Sequence, residues 1–366
     1  MSTASLQLAK TPAGAPSAPD LTADGAQIKA VVSTLRLGYG LDPAELSRIP
    51  EGTSTDNYAV VDQSGRRYFV KAYRPHSNLE LERASVELSE HAAGGGVPTA
   101  RVVRTTEHEL IETRGRLPLS LWSYVPHTET AEGTLSGARW AAVGAAMGRL
   151  HRRLATHPAA APTLQPGAAL CDVAAARDRF DDLTRAYEQK SRLGEFETWA
   201  LQAVRERRAV LGKVERILET LPPLTVQVMH GDLAGPNVLL TNDDVAAIVD
   251  FGPPTPGYLA WEIVRLGCEP QSVVSNGADN LLKGYTDLAL AYRDANPEAP
   301  ADDLASSLRV GCAAKLCATF PLSAPVKRPH LVDSALESYA RARHETALML
   351  LERLPDLEET LRNAIR

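Results

Sequence analysis

The stretch His230-Gly231-Asp232-Leu233-Ala234-Gly235-Pro236-Asn237, followed by an apolar run that ends in Asp250-Phe251-Gly252, constrains this chain more than any other feature. Val238 to Leu240 and Val245 to Val249 read as the two arms of a β-hairpin. An acid, an amide and a second acid therefore fall at turns joined by that hairpin. Asn237 and Asp250 can converge on one hard cation, with Asp232 beside it. Mg2+ takes a few protein oxygens and keeps its bonds to a nucleotide phosphate. A carboxylate next to such a metal can accept the proton of an attacking hydroxyl, and these are the parts that phosphoryl transfer requires.

These residues resemble the catalytic core of the aminoglycoside phosphotransferase / choline kinase superfamily, relatives of the protein kinases with an H-G-D-x-x-x-x-N loop and a downstream D-F. The resemblance implies an α+β, bilobed protein-kinase-like fold. An N-terminal antiparallel β-sheet lobe with one helix, a nucleotide-binding lobe over residues 23–125, would precede a larger, mainly helical catalytic and acceptor-binding lobe over 126–366. It implies ATP and Mg2+ as cofactors, Asp232 as catalytic base and Asn237 and Asp250 as metal ligands. His230 enters the catalytic set with Asp232, more as a brace of the loop than as a proton carrier. Members of the family often carry a Gly and, five positions on, an Asp that opens a helix. Here Gly257 is followed by Glu262, one methylene longer, and Pro253 to Pro256 is proline-rich.

Upstream, Tyr58-Ala59-Val60-Val61 and the run from Arg67 to Tyr73 read as two strands around the turn Gln63-Ser64-Gly65-Arg66. The segment before them, Glu51 to Asn57, is small and polar. By resemblance it folds over the phosphates, with Gly52, Ser54 and Asn57 as contacts; taken alone it reads sooner as an ordinary turn, since it has one glycine. Strand alternation puts Lys71 on the face of Phe69 and Tyr73, opposite Val70. Phosphate oxygens are a fitting partner there, and a solvated edge-strand lysine is the alternative. In kinases a helix glutamate holds this lysine. Glu82 and Glu87 are the candidates in the helix over about 78–93, and they cannot share a face because five residues turn a helix by about 500°. Glu82 is favoured. The strand from Leu117 to Val125 leads into the expected hinge, where backbone groups around Ser123 and Val125 would meet the adenine edge.

The remaining chain is mostly helical. Trp140, Val143, Met147, Leu150 and Leu154 form a core stripe in which Gly144 and Gly148 allow close helix contact. His151 beside it reads as a satisfied structural histidine. Further helices are expected over about 171–193, 204–221, 258–268, 276–295, 302–319 and 331–361. Ile28, Val31, Val32 and Leu35 mark a short amphipathic helix stopped at Gly38. Residues 1–22, rich in Ala, Pro, Ser and Thr, bury too little surface to offset ordering entropy and read as a disordered tail.

Composition narrows the class. A net charge of −6 argues against broad nucleic-acid binding. No run of about 20 apolar residues exists, so no membrane span is expected. No secretory signal is legible, and the four cysteines read as buried thiols of a reducing cytosol. The expected partners are a nucleotide and a hydroxyl-bearing substrate. That acceptor is a small molecule of aminoglycoside, amino-alcohol or sugar type. A Ser/Thr-bearing peptide, modified together with a partner lyase, is the alternative, and an inactive nucleotide-binding scaffold stands against the presence of Lys71, Asp232, Asn237 and Asp250. The sequence does not specify acceptor identity or oligomeric state.

Overall fold

The computed structural model describes residues 25–49 and 55–365. The expected 1–22 tail, and Gly52 and Ser54 of the polar loop, lie outside the described residues. In chain order the elements are α1 (Gly25–Tyr39), β1 (Pro43–Ile49), β2 (Thr55–Asp62), β3 (Arg67–Tyr73), α2 (Leu79–Gly94), β4 (Val102–Val103), β5 (Leu119–Ser123) and β6 (Glu129–Thr130). They continue with α3 (Arg139–Leu154), β7 (Thr163–Gln165), α4 (Val173–Glu188), α5 (Glu195–Glu219), β8 (Leu224–Met229), β9 (Val238–Thr241), β10 (Asp244–Ile248) and β11 (Thr255–Tyr258). The rest is helical: α6 (Leu259–Gly267), α7 (Pro270–Ala295), α8 (Ala301–Cys317), α9 (Ala324–Lys327) and α10 (Ser334–Ile365). An antiparallel sheet followed by mainly helical chain is the α+β class expected.

The chain divides into two compact units, and the division is not one cut in sequence. The first takes the described part of Met1–Ala131 with Thr156–Ala159 and Met229–Thr255; the second takes Glu132–Ala155, Ala160–Val228 and Pro256–Arg366. The hairpin that follows His230 therefore packs with the N-terminal sheet. Leu239, Ala247 and Val249 share an apolar cluster with Phe69, Tyr73, Val86 and Trp122. Ile248 N–H also donates to Pro98 O at 2.8 Å.

In the first unit the sheet order is β1-β2-β3-β5-β4. Strand alternation sorts its side chains onto two cores. Tyr58, Val60, Val70, Ala72, Leu119 and Leu121 meet Val31 and Leu35 of α1, while Phe69, Tyr73 and Trp122 turn to the other face. The β2–β3 turn closes because Asp62 Oδ1 accepts from Ser64 N–H and Arg66 N–H at 2.8 and 2.9 Å. Asn78 caps α2 by accepting from Glu80 N–H and Leu81 N–H. β1 was not legible in the sequence. As an edge strand with no fully buried residue it lacks the apolar alternation that marks a strand. Residues 109–112 join the sheet through a single bridge, Glu112 to Leu119.

In the second unit α3 runs against α7, and the glycines of α3 are what permit it. A Cβ on Gly144 would lie 2.1 Å from Leu288 O, and one on Gly148 2.6 Å from Tyr292 O. His151, wholly buried, places Nδ1 3.0 Å from Tyr292 Oη and Nε2 3.1 Å from Glu262 Oε2. No helix among the described residues is long and apolar enough to cross a membrane.

Candidate active site

β8 delivers the chain to His230, and the turn beyond it needs a glycine: Gly231 has φ +90°. His230 is wholly buried. Its Nδ1 accepts from Asp232 N–H at 3.3 Å, so the proton sits on Nε2, which donates to Val249 O at 3.0 Å. The ring lies 4.3 Å from the Phe251 ring, and His230 O accepts from Gly252 N–H at 2.9 Å. One side chain thus ties the 230–232 turn to the 249–252 turn.

Asn237 adds a second tie. Its Nδ2 donates to Asp232 O at 2.8 Å and lies 3.4 Å from Asp232 Oδ2. Its carbonyl accepts from Val249 N–H at 3.0 Å. Its side-chain Oδ1 is buried and has no hydrogen-bond partner among the described residues. A buried amide oxygen left unpaired is costly, and an oxygen-seeking cation would relieve that cost. Asp250 follows immediately in the left-handed region, with φ +63°. Backbone strain of this kind in a residue other than glycine concentrates at functional sites.

Lys71 forms an ion pair with Asp250 Oδ1, which leaves the second carboxylate oxygen as an acceptor. The pair is mostly shielded, with side-chain exposures of 14% and 11%. Register sets Asn57, Lys71 and Ser120 in one row across β2, β3 and β5. Behind Lys71, the wholly buried Ser120 hydroxyl accepts from Trp122 Nε1–H at 2.8 Å and lies 2.9 Å from Tyr73 Oη. Lys71 Nζ stands 5.9 Å from the centre of the Trp122 ring. Lys71, Asp250, Trp122, Phe69, Val86 and Glu82 line one cavity of the first unit. Burial holds the Glu82 carboxyl above its ordinary range, against the pull of Lys71 and with a push from Asp250. Glu87 is exposed.

Two groups of sequence-predicted residues thus come together: His230, Asp232 and Asn237 by direct hydrogen bonds, and Lys71 with Asp250 and Glu82 around the cavity. Asn57 lies in the lysine's row, where its Oδ1 accepts from Thr55 Oγ1–H at 2.9 Å. Ser123 borders the cavity, but its N–H donates to Arg101 O at 2.7 Å and is not available to a ligand. Val125 packs against the apolar cluster instead of lining the cavity. Sequence reading passed over Ser120 and Trp122, although their place opposite Lys71 and Phe69 follows once the β3–β5 register is known. Among the described residues no cluster of three His, Cys, Asp or Glu could hold a metal. The Asn237–Asp250 pair, one amide and one carboxylate, is a donor set of a different kind.

No curated protein matches the sequence. Solved structures share its fold. An aminoglycoside phosphotransferase from Alicyclobacillus acidocaldarius is 16% identical, with 97% of this chain and 98% of that one covered at a TM-score of 0.60. A spectinomycin phosphotransferase in complex with ADP and spectinomycin is 12% identical, with 87% and 97% covered at 0.60. An amicoumacin kinase in complex with AMP-PNP and Ca2+ is 16% identical, with 88% and 95% covered at 0.55. The model of the phosphotransferase enzyme family matches residues 45–302, well over half of the sequence and past the 230–232 and 249–252 turns. The chain accordingly belongs to that family, the phosphotransferase enzyme family, and is a phosphotransferase.

Proposed function

We propose that the enzyme moves the γ-phosphoryl group of ATP onto a hydroxyl of a small molecule of aminoglycoside, amino-alcohol or sugar type. The observation that carries this reading is the unpartnered Asn237 Oδ1, buried one hydrogen bond away from Asp232. A hard cation is the group such an oxygen lacks, and Asp250 supplies the accompanying negative charge. The ADP and AMP-PNP found in two of the similar folds are in keeping with a nucleotide donor.

In this reading Asn237 Oδ1 and the carboxylate of Asp250 hold Mg2+. When bound, Mg2+ supplies neutralisation of charge on the phosphate oxygens. Lys71 steadies Asp250 and offers its ammonium to the phosphates. Glu82 holds a second negative charge near the lysine, and Asn57 stands in the same row. Ser120 fixes Trp122 and Tyr73, and through them the wall against which Lys71 lies. Asp232 orients the acceptor hydroxyl and takes its proton as the new oxygen–phosphorus bond forms and the bond from the γ-phosphorus to the bridging oxygen breaks, releasing ADP. His230 is a positioning residue, because both ring nitrogens are spent on the main chain.

ATP turnover measured against aminoglycosides, amino alcohols, sugars and a Ser/Thr-rich peptide tests the proposal. Turnover with a small hydroxyl compound, together with a thermal midpoint raised by ATP and Mg2+, is the expected result. A midpoint indifferent to ATP and Mg2+ ends it, and turnover only with the peptide transfers the acceptor to the other class.

A further inference from the structure

A second cavity lies within the second unit and shares no lining residue with the cavity around Lys71. Its volume is about 300 Å3, enough for a small molecule. Leu164 of β7 and Leu259 of α6 give it apolar walls, and Arg152 of α3 and Glu298, just beyond α7, bring exposed charges to it. Gln227 of β8 and Asn296, which caps α7, line it too, although they are only 3% and 4% exposed.

Hydrogen bonds fix which end of each amide is spent on the framework. Gln227 Nε2–H donates to His151 O at 2.9 Å. A carbonyl only accepts, so Oε1 is the end left over. Asn296 is fixed through a longer chain. The Glu262 carboxylate accepts from His151 Nε2–H at 3.1 Å. That leaves Nδ1 to accept from Tyr292 Oη–H at 3.0 Å. The Tyr292 oxygen accepts from Asn296 Nδ2–H at 3.3 Å, and Oδ1 is again the end left over. Neither amide oxygen accepts a hydrogen bond among the described residues. Buried polar atoms of this kind are costly without a donor.

We propose that this cavity binds a free amino acid with an apolar side chain, at a site separate from that of phosphoryl transfer. An ammonium carries three N–H donors. Gln227 Oε1 and Asn296 Oδ1 take two of them, and the Glu298 carboxylate balances the charge. Arg152 pairs with the ligand carboxylate, to which a guanidinium fork is matched. Neither Arg152 nor Glu298 has an ion-pair partner among the described residues. The ligand side chain lies against Leu259 and covers Leu164, which is 65% exposed. Simpler ligands leave something unmatched. An amine without a carboxylate meets the Arg152 charge unshielded, an acid without an ammonium strands both amide oxygens, and a sugar answers neither charge.

The test measures the thermal midpoint of the whole chain with leucine, valine, methionine or phenylalanine. None of these carries a hydroxyl that could accept a phosphoryl group, so the result stands or falls apart from the response to ATP and Mg2+. At least one should raise the midpoint saturably with concentration. Its N-acetyl derivative and the amine lacking its carboxylate should each bind about 10-fold more weakly or worse. Arg152→Ala and Glu298→Gln should each weaken binding about 10-fold, and Asn296→Leu should abolish it. Four amino acids without effect, an N-acetyl derivative that binds equally well, or a rise undiminished in both Arg152→Ala and Glu298→Gln overturns the proposal. Those two side chains are exposed, so the test survives should Asn296→Leu fail to fold.

Discussion

Two wholly buried histidines show how differently the two units spend polar groups. His230, in the first unit, gives both ring nitrogens to the main chain of two turns. His151, in the second, gives both to side chains, Tyr292 and Glu262, and its carbonyl accepts from Gln227 Nε2–H at 2.9 Å. Near His230, Asn237 Oδ1 has no hydrogen-bond partner among the described residues and Asp250 holds a left-handed backbone. Around His151 the hydrogen bonds close on each other. The same contrast extends to the cations. Lys71 faces a cavity with an acid, whereas Lys315, almost wholly buried, donates to Cys268 O at the end of α6. A helix C-terminus favours positive charge, so Lys315 reads as structure and Lys71 as chemistry. Burial alone does not separate these two histidines; the partners to which each ring is bonded do.

The contrast can be broken, and the largest effect to look for is at Asp250. Asp250→Ala should lower turnover by about 10³-fold and also abolish the midpoint rise caused by ATP and Mg2+. A variant that kept the rise would remove Asp250 from the metal. Asp232→Asn comes next, with turnover down by about 10²-fold or more and the midpoint rise retained. Loss of the rise there would move Asp232 from base to ligand. His230→Ala should cost roughly 10-fold in kcat, as expected of a brace, with an unchanged pH profile; a shifted profile would make it a proton carrier. His151→Phe should lower stability by about 1–3 kcal/mol by stranding Glu262 and Tyr292, while kcat per folded molecule holds. An equal fall in kcat for the two histidine variants would erase the distinction drawn here.

The smallest effect is a pH dependence. Burial lowers the Lys315 ammonium from 10.5 to about 8. Above about 8 the folded state holds Lys315 neutral, while the unfolded chain still binds the proton up to 10.5. The stability this contributes is present at high pH and is lost as pH falls through about 8. The thermal midpoint of the wild type should therefore gain on that of Lys315→Met between these two values. A constant difference would mean that the ammonium reaches water.

Much of this was legible beforehand, and the reasons are local. The loop from His230 to Asn237 and the acid at 250 are close in sequence, and a short hairpin joins them, so no long-range register had to be guessed. The face shared by Lys71, Phe69 and Tyr73 followed from strand alternation. What escaped depended on pairing between distant segments. The Ser120–Trp122–Tyr73 cluster needs the β3–β5 register. The attachment of the hairpin to the N-terminal sheet needs the Pro98–Ile248 hydrogen bond. The Ser123 backbone donor was expected to meet a ligand, but position in sequence could not reveal that Arg101 occupies it.

Asn237 carries one last consequence. The two ends of its amide differ: the nitrogen tethers Asp232, and the oxygen has no hydrogen-bond partner among the described residues. An aspartate there would raise the local negative charge, which looks like an improvement for gripping a cation. It would also exchange a donor for an acceptor and set two carboxylates against one another. The asymmetry of the carboxamide is thus what lets one residue anchor Asp232 without repelling it, and an acid in its place would leave that carboxylate less firmly held.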